Sequence, residues 1–96
     1  MKVWAAIRDE NRIIEDRVMD FPSANPHSAE EWGEIIGELC HAMDLSRPVI
    51  LKKHQNDLNS FRHTSFSPAD FMEPVRFHKF TIELFPEKKK ESERHN

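Results

Sequence analysis

Five side chains capable of chemistry are scattered through the second half of the chain: Lys53, His54, Arg62, His63 and His78. Neutral imidazole ligates Zn²⁺ and moves protons near neutral pH. Two histidines with a guanidinium to hold the phosphate are nearly all that phosphodiester cleavage requires. The five are therefore the candidate ligand-binding residues. No catalytic residue is assigned among them, because any polar loop carries such groups. The intervals between the histidines match no zinc-ligand signature, and the only thiol is Cys40, so neither a metal nor another cofactor is expected. Cys40 and His41 are chain neighbours, but neighbours on a helix point about 100° apart and do not form a nucleophile–base pair.

A second constellation overlaps the first. Lys52, Lys53, Arg62, Arg76 and Lys79 interleave with Phe61, Phe66, Phe77 and Phe80. Charge for phosphates beside rings for bases is the arrangement that binds single-stranded nucleic acid. The net charge of −3 and a pI near 6.0 oppose that reading, and so does the lack of an RNP-like motif. The charge is unevenly spread, acidic from Asp9 to Asp44 and mildly basic from Arg47 to Glu83. Glu30, Glu34 and Glu38 recur at a spacing of four, which on a helix makes one acidic face. Such a face suits a basic protein partner, although a solvated surface is the simpler account.

The elements that must position these groups follow from periodicity. Lys2 to Arg8 alternates Val3, Ala5 and Ile7 against Trp4 and Ala6, and Arg12 to Phe21 returns as a second strand. Between them Asp9-Glu10-Asn11 supplies turn chemistry, with Asn11 best suited to a left-handed backbone. Ser28-Ala29-Glu30-Glu31 reads as a capping box, the Glu31 carboxylate returning to the Ser28 amide. It opens a helix over 29–44 whose stripe is Trp32, Ile35, Ile36, Leu39, Cys40 and Met43. Gly33 and Gly37 suggest close approach of that helix to a sheet, or tolerance at its edge. Residues 49–52 predict a buried third strand, 53–65 an irregular loop, Ser67 to Asp70 a helical turn, and 75–85 a last strand. The tail 87–96 is charged, lacks apolar residues and is expected to be disordered.

The sum is an α+β protein: a single domain over 1–86, with an antiparallel or mixed sheet of about four strands covered on one face by one amphipathic helix. No segment approaches the roughly 20 apolar residues of a membrane span, and the N-terminal apolar run Val3 to Ile7 is too short for a signal peptide, so the expected location by elimination is cytoplasmic.

Several runs carry a resemblance: Trp4-Ala5-Ala6-Ile7, Asn11-Arg12-Ile13-Ile14, Arg47-Pro48-Val49-Ile50-Leu51-Lys52-Lys53-His54, Phe61-Arg62-His63-Thr64-Ser65-Phe66 and Asp70-Phe71-Met72-Glu73-Pro74-Val75. In these the chain resembles a group of small bacterial proteins of unknown function, over nearly its whole length up to Phe85. The resemblance implies a stand-alone domain and brings no activity or site residue with it.

Three functions compete on these residues. The leading expectation is a non-catalytic binding or protein-interaction module that self-associates. The module reading rests on the lack of an assembled catalytic set, the small size and the two-signed charge map; self-association is expected because Phe61, Phe66, Phe71, Phe77, Phe80 and Phe85 exceed what one helix can cover. A small hydrolase or nuclease built on 53–65 is the alternative, and it requires His54, His63 and Arg62 to meet in one pocket. A single-stranded nucleic-acid binder is the third, and it requires the cations of the second half to share a face.

Overall fold

The computed structural model describes residues 1–22 and 24–85, so the tail 87–96 lies outside the described residues. Strands β1 (Lys2–Asp9) and β2 (Arg12–Asp20) form the expected hairpin. Glu10, not Asn11, takes the left-handed backbone at its tip, with φ of 60°. That conformation costs a non-glycine residue about 1–2 kcal/mol. A long-range anchor opposes the cost: the Glu10 N–H donates to His78 Nδ1 at 3.0 Å, and the same imidazole lies 3.1 Å from the Asp9 carboxylate.

Helix α1 (Ala29–Ala42) begins where Ser28 Oγ accepts from the Glu31 N–H, and it stops two residues short of the expected end, at Asp44 with φ of 62°. The Glu31 carboxylate accepts from the His27 N–H at 2.6 Å instead of reaching the Ser28 amide. Its stripe of Trp32, Ile35, Ile36, Leu39 and Cys40 is buried, with Met43 just beyond.

The segment that follows departs from expectation. Residues 49–52 are not a strand. Pro48 makes one isolated bridge to Phe71, Val49 and Leu51 remain exposed, and Leu51 is the N-cap of a second helix, α2 (Lys52–Phe61). The supposed loop 53–65 is thus that helix followed directly by strand β3 (His63–Phe66). The helical stripe of α2 has only two buried members, His54 and Leu58, and one of them reads as polar. Pro68–Asp70 forms the expected short turn, and the last strand, β4, covers only Lys79–Phe85.

All pairing is antiparallel, in the order β2-β1-β4-β3. Val3, Ala5 and Ile7 of β1, Phe80, Ile82 and Leu84 of β4, and Phe66 of β3 form the covered face beneath the helices. Thr64 Oγ1 donates to the Asp57 carboxylate at 3.0 Å, tying β3 to α2. Phe71 packs edge-on against Phe77 and Phe80, with centroids 5.5 and 5.9 Å away. Four of the six phenylalanines thought too many for one helix are therefore buried, while Phe61 and Phe85 are exposed. Gly37 of α1 makes room for the Arg47 side chain, since a Cβ there would lie 2.7 Å from Arg47 Nε, whereas a Cβ on Gly33 would meet only ordinary contacts.

Candidate functional site

The five candidate residues do not meet. His54 is fully buried on the helical side of the sheet. Its Nδ1 accepts from the Leu51 N–H at 2.9 Å, the capping role a glutamate usually plays at the third helical position. With Nδ1 an acceptor, the proton resides on Nε2. Among the described residues that nitrogen makes no well-formed hydrogen bond, with Asp70 Oδ2 3.7 Å away and only a weak pull from the Ser65 backbone. The ring packs on Phe66 with centroids 4.1 Å apart. Burial holds the imidazole pKa below its ordinary value of 6.5, outweighing the upward pull of the Asp70 carboxylate.

His63 begins β3 and is exposed, on the face opposite Phe66 and so opposite His54. Arg62 closes α2 in a left-handed conformation with φ of 63°. Its N–H donates to the Leu58 carbonyl and its own carbonyl accepts from the Leu84 N–H at 2.8 Å, so its backbone joins helix to sheet. Lys53 is exposed on α2, and His78 is exposed at the hairpin tip. Register pairs His63 with Glu83, whereas His78 immediately precedes Lys79, a separation of roughly 16 Å along β4. Cys40 is buried and its thiol is pushed up to about 12 by desolvation against the pull of the Arg47 guanidinium, so it holds no nucleophilic thiolate. Among the described residues no group of three or more His, Cys, Asp or Glu side chains is placed to hold a metal ion.

What sequence reasoning missed lies on the uncovered face of the sheet. Trp4 and Arg8 of β1, Asp16 and Val18 of β2, Lys79, Thr81 and Glu83 of β4, and His63 and Ser65 of β3 all point there by register and alternation. Several are already fixed in place. Trp4 Nε1 donates to Asp16 Oδ2 at 2.8 Å, the Arg8 guanidinium lies 5.7 Å over the Trp4 ring, and Arg8 Nε donates to Thr81 Oγ1 at 3.2 Å. Beside them Arg8, His63, Ser65, Lys79, Thr81 and Glu83 line a shallow open hollow. Its cations are opposed by Glu83, and those of the wider face by Asp16 as well, so no strong single-sign field results. The alternation of Trp4, Ala6 and Arg8 signalled this face; which strands extend it depends on pairing order, which periodicity does not reveal.

The same face runs into a free edge. Met1 and Phe21 exchange reciprocal backbone hydrogen bonds of 3.0 and 2.8 Å. Alternation along an antiparallel ladder then turns Met19, Arg17 and Glu15 toward β1, and leaves the N–H and C=O groups of Asp20, Val18 and Asp16 pointing outward. β2 is exposed along its whole length apart from Met19, with Ile14 and Val18 keeping 55% and 54% of their surface in water. Ile13 is exposed too, and the register shift opposite Ile7 and Arg8 places a bulge at this end of the strand.

Protein-family models, curated proteins and solved structures were each compared with the chain, and none matches. The fold and this surface are therefore the ground for any functional reading. No helix among the described residues is long and apolar enough to cross a membrane.

Proposed function

We propose that this is a non-catalytic interaction module of the cytosol, and that its partner engages the β2 side of the sheet: the outward edge of β2 with the adjoining uncovered face. One observation carries the reading. A nine-residue edge strand holds Ile13, Ile14 and Val18 in water and turns backbone donors and acceptors outward that no strand among the described residues pairs. Proteins usually blunt such an edge with lysine, proline or a short strand. Here the strand is long and has no lysine or proline, although the bulge near Ile14 and the charges at Glu15, Asp16 and Arg17 interrupt its apolar run. Strand addition at an open edge is a common recognition mode, with backbone bonds supplying affinity and alternate side chains supplying specificity.

The test is site-directed photocrosslinking in the native cell. A photoreactive residue at Val18 should give a discrete adduct, and one at Glu30 on the outer side of α1 should not. Adducts from Glu30 with none from Val18 would move the interface to the acidic helix face and end this reading.

A second reading keeps one observation in its favour: Arg8, Lys79 and His63 share the uncovered face with Trp4. Stacking of single-stranded nucleic acid there would quench Trp4 fluorescence. Titration with a homopyrimidine oligonucleotide at low salt checks it, and unchanged emission removes it.

A further inference from the structure

Resting on the β2-side reading, we infer that the partner is a second copy of this chain, with β2 paired antiparallel to β2 about a two-fold axis through Asp16. Such a pairing must place one residue on the axis, because an offset of half a residue would set inward-pointing backbone groups against outward-pointing ones. The candidate registers are thus few, and charge separates them. With Asp16 on the axis, Glu15 of each copy lies directly opposite Arg17 of the other, and both point to the covered side of the sheet, where they stand beside Ile7 and Ala5 in the hairpin. The same register brings Val18 of each copy alongside the exposed Ile14 of the other. Moving the axis to Arg17 or to Glu15 also sets a charge against itself, as at Asp16, but forfeits the two Glu15–Arg17 pairs. Moving it to Val18 opposes Asp16 to Asp20, and moving it to Ile14 leaves Glu15 facing Ile13.

The backbone fits this choice. Asp16 is among the residues whose N–H and C=O face outward, so the two copies would exchange hydrogen bonds at the axis and join two four-stranded sheets into one of eight. The Glu15–Arg17 positions then fall at the closely spaced, non-hydrogen-bonded sites, where opposite charges interact best. One feature opposes the register: the two Asp16 carboxylates share the axis. Trp4 Nε1 binds each carboxylate at 2.8 Å and draws it back over β1, away from the other copy.

The experiment measures the mass of the full chain in solution by sedimentation equilibrium, over a dilution series, for five versions. The unaltered chain should give a species of twice 11.4 kDa. Glu15→Arg and Arg17→Glu, each placing like charges opposite one another twice per dimer, should each weaken association by about tenfold or more. The double variant Glu15→Arg/Arg17→Glu should restore it, although it still lacks the hydrogen bond that Arg17 Nη2 donates to the Ala42 carbonyl at 3.2 Å. Asp16→Asn should tighten it. All three positions are exposed, and circular dichroism verifies that each variant folds. A monomeric wild type, or a dimer indifferent to the single reversals, or a double variant no better than the singles, overturns the inference. A monomer whose Val18 position crosslinks to a different protein overturns the self-pairing alone and leaves the β2-side reading standing.

Discussion

At His54 the nitrogen that would otherwise take a proton accepts from the Leu51 N–H, while Nε2 sits buried without a well-formed hydrogen bond among the described residues, 3.7 Å from Asp70. The folded protein therefore favours the neutral ring, and its pKa lies below 6.5. As pH falls through 6.5 the unfolded chain takes up a proton that the folded chain refuses, so His54 costs stability by up to about 1.4 kcal/mol per pH unit until the folded pKa is reached. Urea denaturation across that range should show the loss, and His54→Leu should flatten it while costing the cap about 1 kcal/mol at neutral pH. An NMR titration placing the His54 pKa above its ordinary value would show that the Asp70 carboxylate wins instead. Cys40 gives a companion expectation: with a thiol near 12 and buried on α1, it should react with a disulfide reagent only as fast as the domain opens. A rate typical of a free thiol would contradict its burial. The capping role of His54 was not legible in the sequence, where its polar type marked it as chemistry; the burial of Cys40 was, from the helical stripe alone.

At the scale of elements, α1 was readable in the sequence because six apolar residues repeat with one period behind a serine cap. Leu39 is fully buried there, and Leu39→Ala should cost about 2–5 kcal/mol by chemical denaturation. A loss under about half a kcal/mol would contradict the burial of this stripe against the sheet. The hairpin was equally readable, from alternation on both sides of a polar turn. α2 was not. Its buried stripe is His54 and Leu58, its cap comes from an imidazole, and its neighbours Lys52, Lys53, Gln55 and Asn56 fit a loop as well as a helix. The apolar run 49–52 was misassigned for the converse reason: composition suggested a strand, while its backbone leads into the α2 cap with only a bridge at Pro48 and one bond from Val49 to Asp70. Proximity along the chain made His54, Arg62 and His63 resemble a site. The α2-to-β3 junction separates them, sending His54 beneath the sheet and His63 above it.

For the whole molecule the consequence of strand order is decisive. The order β2-β1-β4-β3 leaves β2 at an edge, both helices pack on the face of Val3, Ala5 and Ile7, and register places Trp4, Arg8 and Asp16 on the uncovered side. Composition already suggested surplus apolar surface, but pointed to phenylalanines that are largely buried; the exposed surface comes instead from Ile13, Ile14 and Val18. The central claim is that this edge is a docking surface used by a second copy. Amide hydrogen exchange at Asp16 and Val18 tests it most directly, since both N–H groups point away from β1 in the single chain. The account predicts that both amides become protected as concentration rises and lose protection on dilution, while Arg17, bonded to β1, changes little. Rapid exchange at Asp16 and Val18 at every concentration would contradict it.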